Sequence, residues 1–451
     1  MMFFDKELTD IRKLIIDYYY NQTISVKNIQ IQKTRKEFEG DYTIIIFPLI
    51  SFSNKSLFET GKDVGDYLVK NLNYIESFNI VKGFLNLTFS DSFWCFMFNQ
   101  YSLNNFSNKK QGQNIVVEFS SPNTNKPLHL GHMRNILLGN AISNILEADG
   151  NNVKRVQIIN DRGIHICKSM LAWLKFGDNQ TPCSQKIKGD HFVGKFYMKF
   201  DEEYKKQYTH LIEKGLHENN AKEESTLLKE AKEMLVSWEN EDVHIRELWS
   251  KMNNWVYSGF EETYNRLGVS FDKIYYESDT YLVGKNYVKK GLRDGLLNTK
   301  EDGSISIDLS KENLDEKILL RSDGTSVYMT QDIGTAILRH DDFNFDKMIY
   351  VVGNEQNYHF NVLFNVLNKM GFNWAINLLH LSYGMVNLPS GKMKSREGTV
   401  VDIDELLNSM YKKAYDSMCQ SNKNKDNELD IDALSVMVGD AAIKYFVLKT
   451  D

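Results

Sequence analysis

Proline and cysteine are scarce in this chain of 451 residues, with five prolines and four cysteines, Cys95, Cys167, Cys183 and Cys419. The cysteines lie far apart with no CxxC pair, which argues against a zinc knuckle or a disulfide framework. A reducing cytoplasm is the expected compartment. No apolar run reaches the roughly 18 residues that a spanning helix needs. The start, Met1-Met2-Phe3-Phe4-Asp5-Lys6-Glu7, lacks the basic opening and cleavage site of an export signal, so no membrane partner is expected. Neither charge sign dominates. The balance of 54 basic and 60 acidic residues gives a net charge of −6, so any nucleic-acid surface has to come from local patches.

What is present is an ordinary globular composition, 42% hydrophobic and 25% charged, in a chain long enough for two or three domains. An amphipathic segment from Lys6 to Tyr20 and β-rich runs at Tyr42–Leu49 and Gly83–Phe89 predict a small α+β domain over residues 1–108. The polar stretch Ser102–Gln113 reads as a linker. Beyond it come a buried-strand pattern, Asn114–Phe119, a polar loop, Ser120–Lys126, a helix from about His132 to Asp149 stopped by Gly150, and a second strand, Val153–Ile159. Strand, helix and strand in that order predict a parallel βαβ unit with a right-handed crossover, and so an α/β nucleotide-binding layer over residues 109–405. Residues from about 200 to 267 are charged and helix-forming, with Leu227, Ala231, Leu235 and Trp238 at helical spacing, and read as a helical insertion. Sheet patterns resume at Phe271–Tyr276, Lys317–Leu320 and Met348–Val352, with helical crossovers from about Leu282 to Leu297 and from His359 to Met370. Residues 406–451 read as the start of a further helical domain, interrupted by the low-complexity stretch Ser421–Asn427.

The strongest local signal is Lys126-Pro127-Leu128-His129-Leu130-Gly131-His132, set between a strand and a helix. Two imidazoles there can donate hydrogen bonds to phosphate oxygens, and Gly131 lets a flat base approach the backbone, which makes ATP the natural ligand. The bland alternative, two surface histidines flanking a glycine, is disfavoured by the strand-to-helix setting. A second basic loop, Gly391-Lys392-Met393-Lys394-Ser395-Arg396-Glu397-Gly398-Thr399, reads on its own as a solvated charge run.

The first segment resembles the HIGH motif of class I aminoacyl-tRNA synthetases, and Val117-Glu118-Phe119-Ser120-Ser121-Pro122-Asn123 resembles the arginyl branch in particular. The second loop resembles the KMSKS signature, with Ser395 at the second lysine's position and the lysine displaced to Lys394. The resemblance implies that Lys126 supplies the missing charge. It also implies a fold: a class I parallel-sheet catalytic domain with a helical insertion, preceded by a small α+β N-terminal domain that would either contact tRNA or serve purely as scaffold.

The implied roles follow motif by motif. His129, His132, Lys126 and Lys392 would serve catalysis, and His129, Gly131, His132, Lys392 and His359 would hold ATP, although His359 is equally readable as a helix cap. A buried guanidinium needs carboxylate acceptors. By resemblance Glu277 and Asp332 take that end of arginine, Glu118 and Asn123 the α-amino end, and Tyr328 and Gln356 close the pocket. Tyr328 and Asp332 would share one helix face. Asn160-Asp161-Arg162-Gly163 reads either as a bare turn or as a loop related to one in the family, and His165 and Lys168 receive no role.

The implied reaction is activation of L-arginine by ATP and transfer to the 3′ end of tRNA(Arg), with Mg²⁺ carried by ATP and no protein-bound metal. A cytoplasmic monomer is expected. The family continues past residue 451 into an anticodon-binding domain, so the chain reads as truncated there. Two alternatives stay open at this level: a catalytically silent, synthetase-derived tRNA-binding protein, and a class I synthetase for another amino acid.

Overall fold

A computed structural model describes residues 5–19, 24–100, 112–384, 386–388, 391–392, 401–421 and 430–449. The chain forms two compact units, Met1–Asn108 and Lys109–Asp451.

The first unit contains helix α1 (Asp5–Tyr18), strands β1 (Ile31–Lys33) and β2 (Tyr42–Ile45), helices α2 (Ile50–Ser53) and α3 (Leu57–Asn71), strands β3 (Ile75–Val81) and β4 (Phe84–Phe89), and helix α4 (Asp91–Gln100). The strands form an antiparallel sheet in the order β1-β2-β4-β3. Leu8, Ile11 and Ile15 recur on one side of α1 and are buried with Val64 and Leu68 of α3 and Leu85 and Leu87 of β4. Ser56 starts α3 with a reciprocal capping box to Glu59.

The second unit opens with β5 (Asn114–Glu118), α5 (Leu130–Ala148) and β6 (Asn152–Ile159). A long helical stretch follows: α6 (Ile164–Phe176), α7 (Pro182–Gln185), α8 (Gly189–Glu213), α9 (Glu218–Glu224), α10 (Thr226–Glu239) and α11 (Val243–Leu267). The chain returns through β7 (Lys273–Tyr276), α12 (Glu277–Arg293), β8 (Asn298–Thr299), β9 (Ile305–Ile307), β10 (Lys317–Leu320), α13 (Tyr328–Phe343), β11 (Lys347–Gly353), α14 (Asn357–Lys369) and β12 (Leu378–Tyr383). The short strands β13 (Asn387–Leu388) and β14 (Gly391–Lys392) pair with each other, and α15 (Ile403–Ser421) and α16 (Ile431–Lys449) follow.

The main sheet is parallel throughout, in the order β12-β11-β5-β6-β7. Its central strand is buried on both faces. Ile115 and Val117 join the core that includes α5, α6, α8 and α11, while Val116 joins the opposite core with α13 and α14. β5 feeds β6 on one side and pairs with β11 on the other, so the strand order reverses beside the carboxyl end of β5. That is where an open α/β sheet leaves a crevice for ligands.

Two expectations need correction. Lys317–Leu320 does not rejoin the main sheet but forms a separate antiparallel sheet in the order β10-β9-β8, because a short apolar run does not by itself reveal its partner. Helix α8 also begins at Gly189, upstream of the expected insertion start. Gly189 and Gly194 look like breakers in the sequence, but they are close-approach positions. A Cβ on Gly189 would lie 1.8 Å from the Trp255 carbonyl oxygen, and one on Gly194 would lie 2.8 Å from Pro127 Cδ.

Candidate active site

The loop after β5 crosses the crevice and enters α5 through His129, whose extended backbone makes it the helix N-cap. The helix therefore starts at Leu130, before the expected His132, because the two histidines cap it themselves. His129 Nδ1 accepts from the Gly131 backbone N–H at 3.2 Å, and His132 Nδ1 accepts from the His129 backbone N–H at 3.1 Å. With both Nδ1 atoms accepting, each neutral ring carries its proton on Nε2 and offers one N–H. The rings lie 3.9 Å apart between centroids. Burial, reinforced by Lys126, pushes His129 down to about 4 and His132 well below its ordinary value. Neutral rings can still donate through Nε2–H.

A cavity of about 270 Å³ is lined by His129, Gly131 and His132 on one side and by Val352, Gly353 and Gln356 on the other. Its floor is tied by Asn135, which accepts from the Ser120 backbone N–H at 2.5 Å and donates to Tyr383 Oη at 3.0 Å. Ser120 itself sits at φ 57°, a left-handed kink that turns the chain out of β5.

Residues 401–403, which follow the second signature in sequence, join this place through backbone pairing. Leu130 N–H donates to the Val401 carbonyl at 2.9 Å, Ile403 N–H donates to the Leu128 carbonyl at 3.2 Å, and His129 and Asp402 form an antiparallel bridge. Lys392 lies on β14. Its side chain, and the rest of the signature from Met393 to Thr399, fall outside the described residues.

A larger cavity of about 960 Å³ adjoins the first, sharing Ser121, Val352 and Gln356. It brings together Glu118, Asn123, Lys126, Glu277, Tyr328, Asp332, Gln356 and His359, the residues expected around arginine with Lys126, expected in catalysis, and His359, expected around ATP. They come from the carboxyl ends of β5, β7 and β11 and the first turns of α12, α13 and α14. Asn123 is placed by a parallel bridge to Asn160, beyond the end of β6. Tyr328 opens α13 with 81% of its surface exposed, so it stands at the rim and does not roof a closed pocket.

The three carboxylates have different surroundings. Glu118 is buried and ion-paired with the equally buried Arg339 of α13. Burial raises its carboxyl and the guanidinium pulls it back. Asp332 is held by His359 Nε2 at 2.6 Å, and that hydrogen bond raises the imidazole above its ordinary range. His359 therefore neither caps α14 nor lines the histidine cavity but answers a carboxylate. Glu277 is pushed up to about 7 by burial, opposed by the cation of Arg162 and raised further by Asp161.

Sequence reasoning missed how Asn160–Gly163 works. It is no bare turn. The buried Asp161 carboxylate accepts from Ser278 N–H at 2.9 Å, Ser278 Oγ at 2.7 Å and Tyr257 Oη at 2.9 Å, fixing the start of α12, and with it Glu277, to the insertion helix α11. Arg162 lies 3.8 Å from the Tyr281 ring centroid and bonds Glu239 at 2.8 Å, so a cation is stacked at the cavity wall. Only the Asp-Arg pair after a strand hinted at this. His165 also lines the cavity, 3.1 Å from Tyr197 Oη.

Among the described residues, Asp190, His191 and Asp404 have ligand atoms close enough to share a metal ion. The ammonium of Lys188 already stands between the two carboxylates, 2.6 Å from Asp404 and 3.4 Å from Asp190.

Residues 98–451 match the family described as tRNA synthetases class I (R), catalytic domain. The arginine–tRNA ligase of Bacteroides thetaiotaomicron is 53% identical over 437 residues, covering 96% of this chain and 73% of its own length. In fold, the chain is similar to the Thermus thermophilus arginyl-tRNA synthetase, with TM-score 0.61 and 22% identity over 98% of this chain and 74% of that one. It is likewise similar to the Plasmodium falciparum arginyl-tRNA synthetase, with TM-score 0.61 and 20% identity over 100% of this chain and 75% of that one. With the family match spanning most of its length and a relative sharing half of its residues, the chain belongs to the class I arginyl-tRNA synthetases.

Proposed function

We propose that the protein condenses L-arginine with ATP to arginyl-adenylate and pyrophosphate, and then passes arginine to the terminal ribose of tRNA(Arg). The observation that carries this reading is the adjacency of two cavities at one sheet edge. One is lined by the neutral donors His129 and His132, the other by Glu118, Glu277 and Asp332 with Lys126 at the side.

Glu277 and Asp332 take the guanidinium, and Glu118 with Asn123 the α-amino end, while Gln356, common to both cavities, lies between amino acid and nucleotide. The arginine carboxylate attacks the α-phosphate in line, so no protein nucleophile is needed. Catalysis rests on positioning and on donors aimed at developing phosphate charge: the Nε2–H groups of His129 and His132, the α5 N-terminus, Lys126 and Lys392. Gly131 leaves space for the base. Mg²⁺ enters with ATP as part of that substrate. The N-terminal unit, with Lys33, Arg35 and Lys36, is assigned a tRNA contact.

The test is arginine-dependent ATP–pyrophosphate exchange, run with and without tRNA(Arg). Exchange that requires arginine is expected. Folded protein that shows none in either condition supports the silent tRNA-binding alternative.

A further inference from the structure

Lys188, Thr263 and Asp404 are remote in sequence, yet they meet where α8, α11 and α15 converge. Lys188 Nζ donates to Thr263 Oγ1 at 2.5 Å and to Asp404 Oδ2 at 2.6 Å, and Thr263 Oγ1 donates to Asp404 Oδ1 at 3.1 Å. His191 Nε2 lies 3.0 Å from Asp404 Oδ2 and 3.4 Å from Asp402 Oδ2. Asp402 in turn caps α15, its Oδ1 accepting from the backbone N–H groups of Asp404 at 2.9 Å and Glu405 at 3.1 Å. Asp190, fully buried, completes the group beneath Lys188.

This cluster sits immediately after the second signature. The cluster's bonds fall on Asp402 and Asp404, and the overlapping residues 401 to 403 carry the backbone pairing to Leu128–Leu130 of the first signature. His191 and Asp402 also line one cavity of about 300 Å³ with Lys126, Pro127, Leu128 and His129. We propose that the Lys188–Asp404 pair, with His191 and Thr263, is a positioning latch: it anchors residues 402–404 to the insertion and thereby holds residues 401–403 against Leu128–Leu130 beside His129. The inference rests on the ATP-activating role given above. Lys188 and His191 touch no reacting atom and act through the backbone of residues 401–403. Several charge-assisted bonds converge on Asp404, so losing one partner leaves buried charge unanswered and loosens the whole junction.

Asp404→Asn, which leaves Lys188 paired with Asp190, and Lys188→Met, with Lys188→Arg as the conservative rescue, test the latch in the full chain. Amide hydrogen exchange at Leu130 and Ile403 reads the junction without requiring activity, and about tenfold faster exchange is expected in the first two variants. In ATP–pyrophosphate exchange kcat falls about tenfold and the KM for ATP rises, while the KM for arginine stays within about twofold. Lys188→Arg recovers part of both effects. Unchanged protection at Leu130 and Ile403 in folded Asp404→Asn overturns the latch, as does an equal rise in both KM values. If the unmodified protein shows no exchange reaction but the amides respond as expected, the anchor stands and the ATP-activating reading falls.

Discussion

In the histidine cavity both imidazoles are held in the neutral form, each Nδ1 consumed by the helix cap and its charge disfavoured by burial. In the carboxylate cavity beside it, each carboxyl group is met by an internal basic group: Arg339 on Glu118, His359 on Asp332, Arg162 near Glu277. The two meet at Ser121, Val352 and Gln356. Under the proposed function, the difference teaches how one sheet edge would serve two ligand types. A site for phosphates gains from fixed dipoles that need no reorganisation, whereas a site for a cationic side chain needs anions that do not destroy the fold when the ligand is away.

The most severe way to break this contrast is to remove an internal cation. Arg339→Met leaves Glu118 buried without its partner and is expected to cost about 3–5 kcal/mol in urea unfolding. Adding Glu118→Gln to that variant recovers part of the loss. If Arg339→Met alone unfolds at the same urea concentration as the unmodified chain, Glu118 is not held as described.

On the other side, His129→Ala removes both a donor and the α5 cap. A fall of about 10²-fold to 10³-fold in exchange kcat is expected, with little change in the KM for arginine. A main effect on arginine would place His129 in the wrong cavity. Glu277→Gln reverses that pattern. Loss of a charge-assisted contact raises the KM for arginine by roughly ten- to a hundredfold and leaves the KM for ATP nearly unchanged.

The smallest effect is in pH. The Glu277 carboxyl is raised to about 7, so it gains its proton as pH falls through that value and loses the charge that pairs with a guanidinium. The KM for arginine should therefore rise by up to about tenfold between pH 8 and pH 6. Glu277→Gln should flatten this limb. His129, at about 4, should contribute no limb over the same range.

How much of this was legible in the sequence varies residue by residue. Lys126 to His132 is contiguous, and its chemistry and its strand-to-helix setting were both readable, although the capping role of the histidines was not. Glu118, Glu277 and Asp332 could be named by resemblance, but not their partners. Arg339 looks like an ordinary helix residue, and His359 like a nucleotide ligand or a cap, until α13 and α14 are packed against the sheet. Asp161 shows the limit most clearly, since its acceptors' partners lie on α11 and α12, across the whole insertion.

The sequence by itself determined the order of strands and helices around the first signature, the family, and the candidate histidines and carboxylates that face the two cavities, because these depend on local periodicity and short motifs. Tertiary structure alone decided the protonation of His129 and His132, the internal basic groups answering each carboxylate, the separate small sheet at Lys317–Leu320, and the pairing of residues 401–403 with the first signature. Those properties arise from burial and from contacts between distant segments. Desolvation and pairing act only on groups that folding has brought together.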